Sequence, residues 1–99
     1  MKKSYLTLVV NVVVKEEFRE EIKSELLKLV GPTRGEEGNI AYDLHQDNEN
    51  PNLFLFHEKW VNQAYLDKHS QSSHIAVYRV ASKDKLENLS AYKMTELTA

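Results

Sequence analysis

Apolar positions along the chain recur with two different periods, and the change from one to the other predicts the order of elements. From Tyr5 to Val14 the residues are apolar on both sides of an extended backbone. Leu6, Leu8, Val10, Val12 and Val14 point one way, and Tyr5, Thr7, Val9, Asn11 and Val13 the other. A strand of that kind needs cover on both faces. From Glu16 to Val30 the spacing of Phe18, Ile22, Leu26, Leu29 and Val30 changes to that of a helix with one buried face. Acidic residues crowd its first turns and Gly31-Pro32 is expected to follow its last, as dipole and chain geometry favour.

Asn39 to Gln46 returns to alternation, with Ile40, Tyr42 and Leu44 on one face and Ala41, Asp43 and His45 on the other. The polar run Asp47 to Asn52, with Pro51, reads as the connector of a hairpin. Leu53 to Val61 is then a third strand, with Phe54, Phe56, Glu58 and Trp60 on one side and Leu55, His57 and Lys59 on the other. Asn62 can cap a short helix through His69, and Ser72 or Ser73 another through about Lys85, with His74, Val77, Tyr78 and Ala81 on one face. The last strand is expected over Leu89 to Leu97. Strand, helix, strand, strand, helices, strand is the split βαβ order of an α+β, ferredoxin-like fold with a four-stranded antiparallel sheet. Residues 1–99 read as a single domain.

Composition narrows the function classes. The 99 residues carry a net charge of −2, so no positive field attracts phosphate backbones, and nucleic acid is not an expected partner. The absence of cysteine fits a reducing compartment, and a cytoplasmic location is expected. The apolar run after Lys2-Lys3 is interrupted by Asn11 and followed by Lys15-Glu16-Glu17, which argues against a signal peptide, and it is too short to span a membrane. Helices cover one sheet face only, while Val9, Val13, Leu55 and Val61 point to the other. An apolar face of that size predicts a homodimer packed sheet against sheet.

Trp60 is followed by eight residues and then His69, and His69 by four and then His74. With Glu58 and the Gly38, Tyr42 and Leu44 pattern, this motif resembles the antibiotic biosynthesis monooxygenase superfamily of dimeric α+β barrels. The resemblance runs from the first strand to the last. It implies a pocket between the helices and the sheet, walled by Asn11, Phe56, Trp60, His69, His74 and Tyr78. It further implies oxygenation of a small quinol, polyphenol or polyketide-like aromatic by molecular oxygen, without metal, flavin, haem or other cofactor. On that reading His69 is the base and Asn11 holds an oxyanion or orients a peroxy intermediate, while Phe56, Trp60, His74 and Tyr78 bind the substrate. The superfamily also contains isomerases and members with no known activity. An isomerase of a small carbonyl or phosphosugar compound and a non-catalytic ligand-binding dimer therefore stand as alternatives.

Each of these residues also has a purely structural reading. Asn11 is equally a polar residue at a bulge, Trp60 a core anchor, His69 a group favoured at a helix C-terminus, and His74 a hydrogen-bonded start to the next helix. His45 and His57 are expected to face away from the pocket. None of the four histidines has the helical spacing of a zinc motif, and no metal site is expected. Haem degradation is disfavoured within the resemblance, because His69 and Arg79 stand where that branch has a tryptophan and a histidine. The short first turn and Ser73, in place of a common proline, are further departures from the family pattern.

Overall fold

A computed structural model describes residues 1–99. Strand β1 (Leu6–Val14) leads through a 3-10 turn (Glu16–Phe18) into helix α1 (Arg19–Arg34). The hairpin β2 (Asn39–Gln46) and β3 (Leu53–Trp60) follows, then α2 (Gln63–Ser70), α3 (Ser73–Ser82) and β4 (Leu86–Met94). The four strands form one sheet in the order β2-β3-β1-β4, and every neighbouring pair is antiparallel. This is the ferredoxin-like α+β fold expected from the order of elements.

Register decides which side chains share a face, because paired residues in an antiparallel ladder project to the same side. Val12 pairs with Phe54, Val10 with Phe56 and Leu8 with Glu58 on one side of the sheet. Asn11 lies between Leu55 and Ser90 on the other. The helices cover the first of these faces. Val12, Val14, Phe54 and Phe56 pack there with Ile22, Leu26 and Leu29 of α1, Tyr42 and Ile75. A second cluster joins Leu8 and Trp60 to Leu66 of α2. Ile22, Leu26 and Trp60 are wholly buried, each contributing about 1.5–3 kcal/mol of transfer free energy before cavity effects.

The main departures from the sequence expectation each have a local reason. Helix α1 runs through Gly31-Pro32 to Arg34. Proline removes only its own N–H, and the last turn is held from outside by the wholly buried Thr33 and by Arg34, which donates to the Tyr42 carbonyl (3.1 Å) and to Asp43 (3.0 Å). Ile40 leaves the face of Tyr42 and becomes half exposed because β2 bulges between Asn39 and Ala41. The second helix pair ends early, at Ser82. A left-handed Asp84 (φ 63°) turns the chain back so that β4 begins at Leu86 opposite Val14, and beyond Met94 the expected strand is reduced to an isolated bridge of Leu97 to Lys2.

The two short helices are fixed at their junction. The Asn62 side chain accepts from the Tyr65 amide at 3.2 Å, capping α2. Ser72, at the start of α3, turns its hydroxyl to the His69 carbonyl (2.7 Å) and so ties the two helices together. Gly38 has φ +85° and lies under the Tyr65 ring, leaving no room there for a Cβ. No helix is long and apolar enough to cross a membrane.

Candidate active site

Between the helices and the covered sheet face lies an open-mouthed cavity of about 310 Å³, at the small end of the ~300–1,000 Å³ typical of ligand sites. Strand alternation supplies its floor: Leu8, Val10 and Val12 from β1, Phe56 and Glu58 from β3, Leu89 and Ala91 from β4. Helix periodicity supplies its roof, with Leu26 and Leu29 from α1, Leu66 and His69 from α2, and Ile75, Tyr78 and Arg79 from α3. Tyr42 stacks on Phe56, the ring centroids 4.5 Å apart, and presents its edge to His69.

The polar groups set into this apolar wall are few. His69, in the last turn of α2, is buried and its Nδ1 stands 2.6 Å from Glu36 Oε2. The same oxygen is 3.1 Å from His74 Nε2. Burial is the largest influence on His69 and holds its pKa below the ordinary imidazole value, although Glu36 opposes the shift. Glu58 is buried on the cavity floor and accepts a hydrogen bond from Trp60 Nε1 at 2.9 Å. Desolvation pushes its carboxyl up to about 7, against the Trp60 hydrogen bond, which lowers it. The Tyr78 hydroxyl is buried without a hydrogen-bond partner, and burial raises its pKa.

Phe56, His69 and Tyr78 are thus brought together on one cavity as the sequence reading had them. Trp60 is one layer back: wholly buried, its ring 4.8 Å from that of His69, it backs the imidazole rather than forming the wall. His74 is at the rim, outside the cavity lining, and meets the site through the Glu36 carboxylate it shares with His69. Asn11 is not in the cavity. Its place in the register, between Leu55 and Ser90, turns it to the open face, and its neighbours Val10 and Val12 line the cavity instead. His45 and His57 also lie away from the cavity, beside a shallow polar hollow with Asp43 and Leu55.

Two functional candidates escaped the reading of the sequence. Glu36 is one of two acidic residues in a loop, and no periodicity ties it to imidazoles 33 and 38 residues away. Glu58 did leave a signal, since it is a carboxylate placed between Phe56 and Trp60 on the apolar face of a strand.

A ferredoxin-like sheet with an apolar cavity under its helices, and a carboxylate-held imidazole in the cavity wall, defines a small α+β protein built to enclose a small molecule. The chain belongs to the antibiotic biosynthesis monooxygenase family, whose profile matches residues 6–81. It is 36% identical over 85 residues to the "Putative monooxygenase YcnE" of Bacillus subtilis (strain 168), spanning 86% of this chain and 90% of that one. A protein of Pseudomonas aeruginosa known from its crystal structure superposes with a TM-score of 0.93 at 30% identity, over 97% of both chains. The crystal structure of an antibiotic biosynthesis monooxygenase gives 0.88 at 26% identity, over 94% of this chain and 99% of the other.

Proposed function

We propose that this protein is a cofactor-independent monooxygenase in which His69 deprotonates a small quinol, polyphenol or polyketide-like aromatic for reaction with molecular oxygen. The observation that carries the reading is the Glu36–His69 pair at the wall of an apolar cavity. A carboxylate accepting from Nδ1–H fixes the neutral tautomer whose Nε2 lone pair is free to take a proton. An apolar surround favours the neutral base and excludes bulk water from the reactive anion.

The reaction balances without an added reductant. His69 takes the hydroxyl proton, and the substrate anion gives one electron to oxygen, leaving a substrate radical and superoxide. A carbon–oxygen bond joins them as a peroxide. When its O–O bond breaks, one oxygen stays on the ring as a carbonyl and the other leaves as water with the two hydrogens that the substrate has lost. Phe56 and Tyr42 supply a flat wall for the ring, and Tyr78 supplies a hydroxyl to a polar substituent. The test is oxygen uptake by the purified protein across a quinol and polyphenol panel, which His69→Ala abolishes. Uptake that survives this substitution removes His69 from the role, and none with any member of the panel removes the reading.

A second reading has its own support. Neutral His69 and a Glu58 carboxyl with a pKa near 7 share the cavity, which is the pairing needed to move a proton from carbon to oxygen in a small carbonyl compound. Turnover of such a compound under strict anaerobiosis would favour it over oxygenation.

The working unit in either reading is a homodimer closed through the open sheet face. Val9, Val13 and Leu55 lie there half buried, and Tyr92 and Met94 are about half exposed. A cytoplasmic setting, where small aromatic metabolites and oxygen are both available, suits this chemistry.

A further inference from the structure

We propose that Glu36, His69 and His74 form a site for a divalent transition-metal cation of the zinc class at the rim of the cavity. Three donors from three separate segments meet at one point: Glu36 from the loop after α1, His69 from the end of α2 and His74 from the start of α3. One donor atom from each of the three residues lies within 4.8 Å of those of the other two, and Glu36 Oε2 is 2.6 Å from His69 Nδ1 and 3.1 Å from His74 Nε2.

The arrangement depends on the break between the two helices. Five residues apart on one helix, the imidazoles would point in different directions. The turn at Gln71-Ser72, tied by the Ser72 hydroxyl to the His69 carbonyl, swings His74 back towards His69 so that their ring centroids are 6.0 Å apart.

The donor chemistry suits a borderline cation. Two imidazole nitrogens and one carboxylate oxygen form a common three-ligand set for zinc, with metal–ligand bonds of about 2.0–2.2 Å and a fourth position left for solvent. Tetrahedral donors at that radius stand about 3.3 Å apart. The present Glu36 contacts of 2.6 and 3.1 Å therefore open by less than an ångström to admit the ion, while the two imidazole donors, which lie within 4.8 Å of each other, settle to the same spacing. The Glu36 and His74 side chains keep about a fifth of their surface exposed, so the site is reachable from solvent. Ser72 Oγ, 3.3 Å from His74 Nε2, borders the remaining position. Arg79, held by the Ser70 carbonyl at 2.9 Å, is the nearby charge that opposes a cation and weakens the site.

Occupation has a chemical consequence, one that rests on His69 being the base. A neutral imidazole bound to metal through Nδ1 carries its proton on Nε2 and can no longer accept one. The cation would therefore silence His69 rather than assist it.

The experiment is calorimetric titration of the chelator-stripped full chain with zinc chloride, alongside cobalt chloride followed by visible absorption. One cation per chain is expected, with the d–d bands of a low-coordinate cobalt site. Affinity should fall at least about tenfold in His74→Ala and in Glu36→Gln, and should be unchanged when His45 and His57 are both replaced by alanine. Circular dichroism checks that each variant remains folded. No saturable binding overturns the site, as does equal affinity in His74→Ala, or loss confined to the His45/His57 variant. Zinc that binds as expected while leaving quinol oxidation undiminished supports the site and removes His69 as the base.

Discussion

Glu36 Oε2 and His69 Nδ1 are 2.6 Å apart although 33 residues separate them in the chain, and this contact engages one ring nitrogen and leaves Nε2 outside the pair. Glu36 raises the His69 pKa against the lowering effect of burial. Glu36→Gln should therefore move the His69 titration to still lower pH, as followed by its ring-proton NMR shifts. Turnover should fall about 10- to 100-fold with little change in KM, because the amide holds the ring without stabilising the imidazolium. An unshifted titration would mean that the contact is packing alone.

His69→Ala should cost at least about 100-fold in turnover, the usual contribution of a placed base. Binding should survive it. The cavity wall is made chiefly of Phe56, Tyr42, Tyr78 and aliphatic side chains, so the dissociation constant for an aromatic ligand should change only a few-fold. Phe56→Ala, by contrast, removes ring contact from both substrate and Tyr42 and should weaken binding more than it slows chemistry. Equilibrium dialysis with an unreactive quinone analogue, set beside single-turnover kinetics, separates the two effects.

The fold was readable from the chain because its signals are periodic and local. Alternation through β1 and β3, the spacing of Phe18, Ile22 and Leu26, and the polar hairpin turn specify elements whose order admits few topologies. Local signals failed where tertiary contacts decide. Thr33 and Arg34 carry α1 past its proline, and a bulge turns Ile40 outward. The site divides in the same way. Phe56, His69 and Tyr78 sit on periodic faces, and those faces place them on the cavity. Glu36 comes from a loop, whose side-chain direction no period describes. Asn11 shows the opposite error: its alternation with Val10 and Val12 already put it on the far face, and only the family resemblance drew it into the pocket.

Gly38→Ala tests how the roof of the site is seated. The glycine has φ +85°, a conformation that L residues rarely adopt, and an added Cβ would fall inside the Tyr65 side chain close to its own Cβ. Tyr65 lies in the first turn of α2, and its amide is bonded to the Asn62 cap. The substitution must therefore shift the helix that carries His69, and roughly 2 kcal/mol or more of stability should be lost. Urea denaturation measures this directly, and a loss below about 0.5 kcal/mol would show that α2 is loosely seated.

Glu58 should make the protein less stable as the pH rises. Its carboxyl, ordinarily near 4.5, is pushed up to about 7 by burial on the cavity floor. Below 4.5 it is protonated in both the folded and the unfolded chain and contributes nothing to pH dependence. Between 4.5 and about 7 the unfolded chain ionises while the folded one holds its proton, so the folded state binds more protons and stability falls with rising pH. Above that range both forms are ionised, and the accumulated penalty levels off at roughly 3 kcal/mol. His69 acts in the other direction. Its folded pKa is lowered, so its contribution to stability is present above 6.5 and is lost as the pH falls through the folded pKa. Glu58→Gln isolates the carboxyl, because the amide keeps an acceptor for Trp60 Nε1 and cannot ionise. The difference in urea-unfolding free energy between this variant and the native chain should grow from pH 4.5 to 7 and then hold constant. Trp60→Phe removes the hydrogen bond that restrains the shift, so its decline should extend to higher pH than in the native chain. A native-minus-variant difference that is flat across this range would place the Glu58 charge in contact with solvent and remove it from any acid role in the cavity.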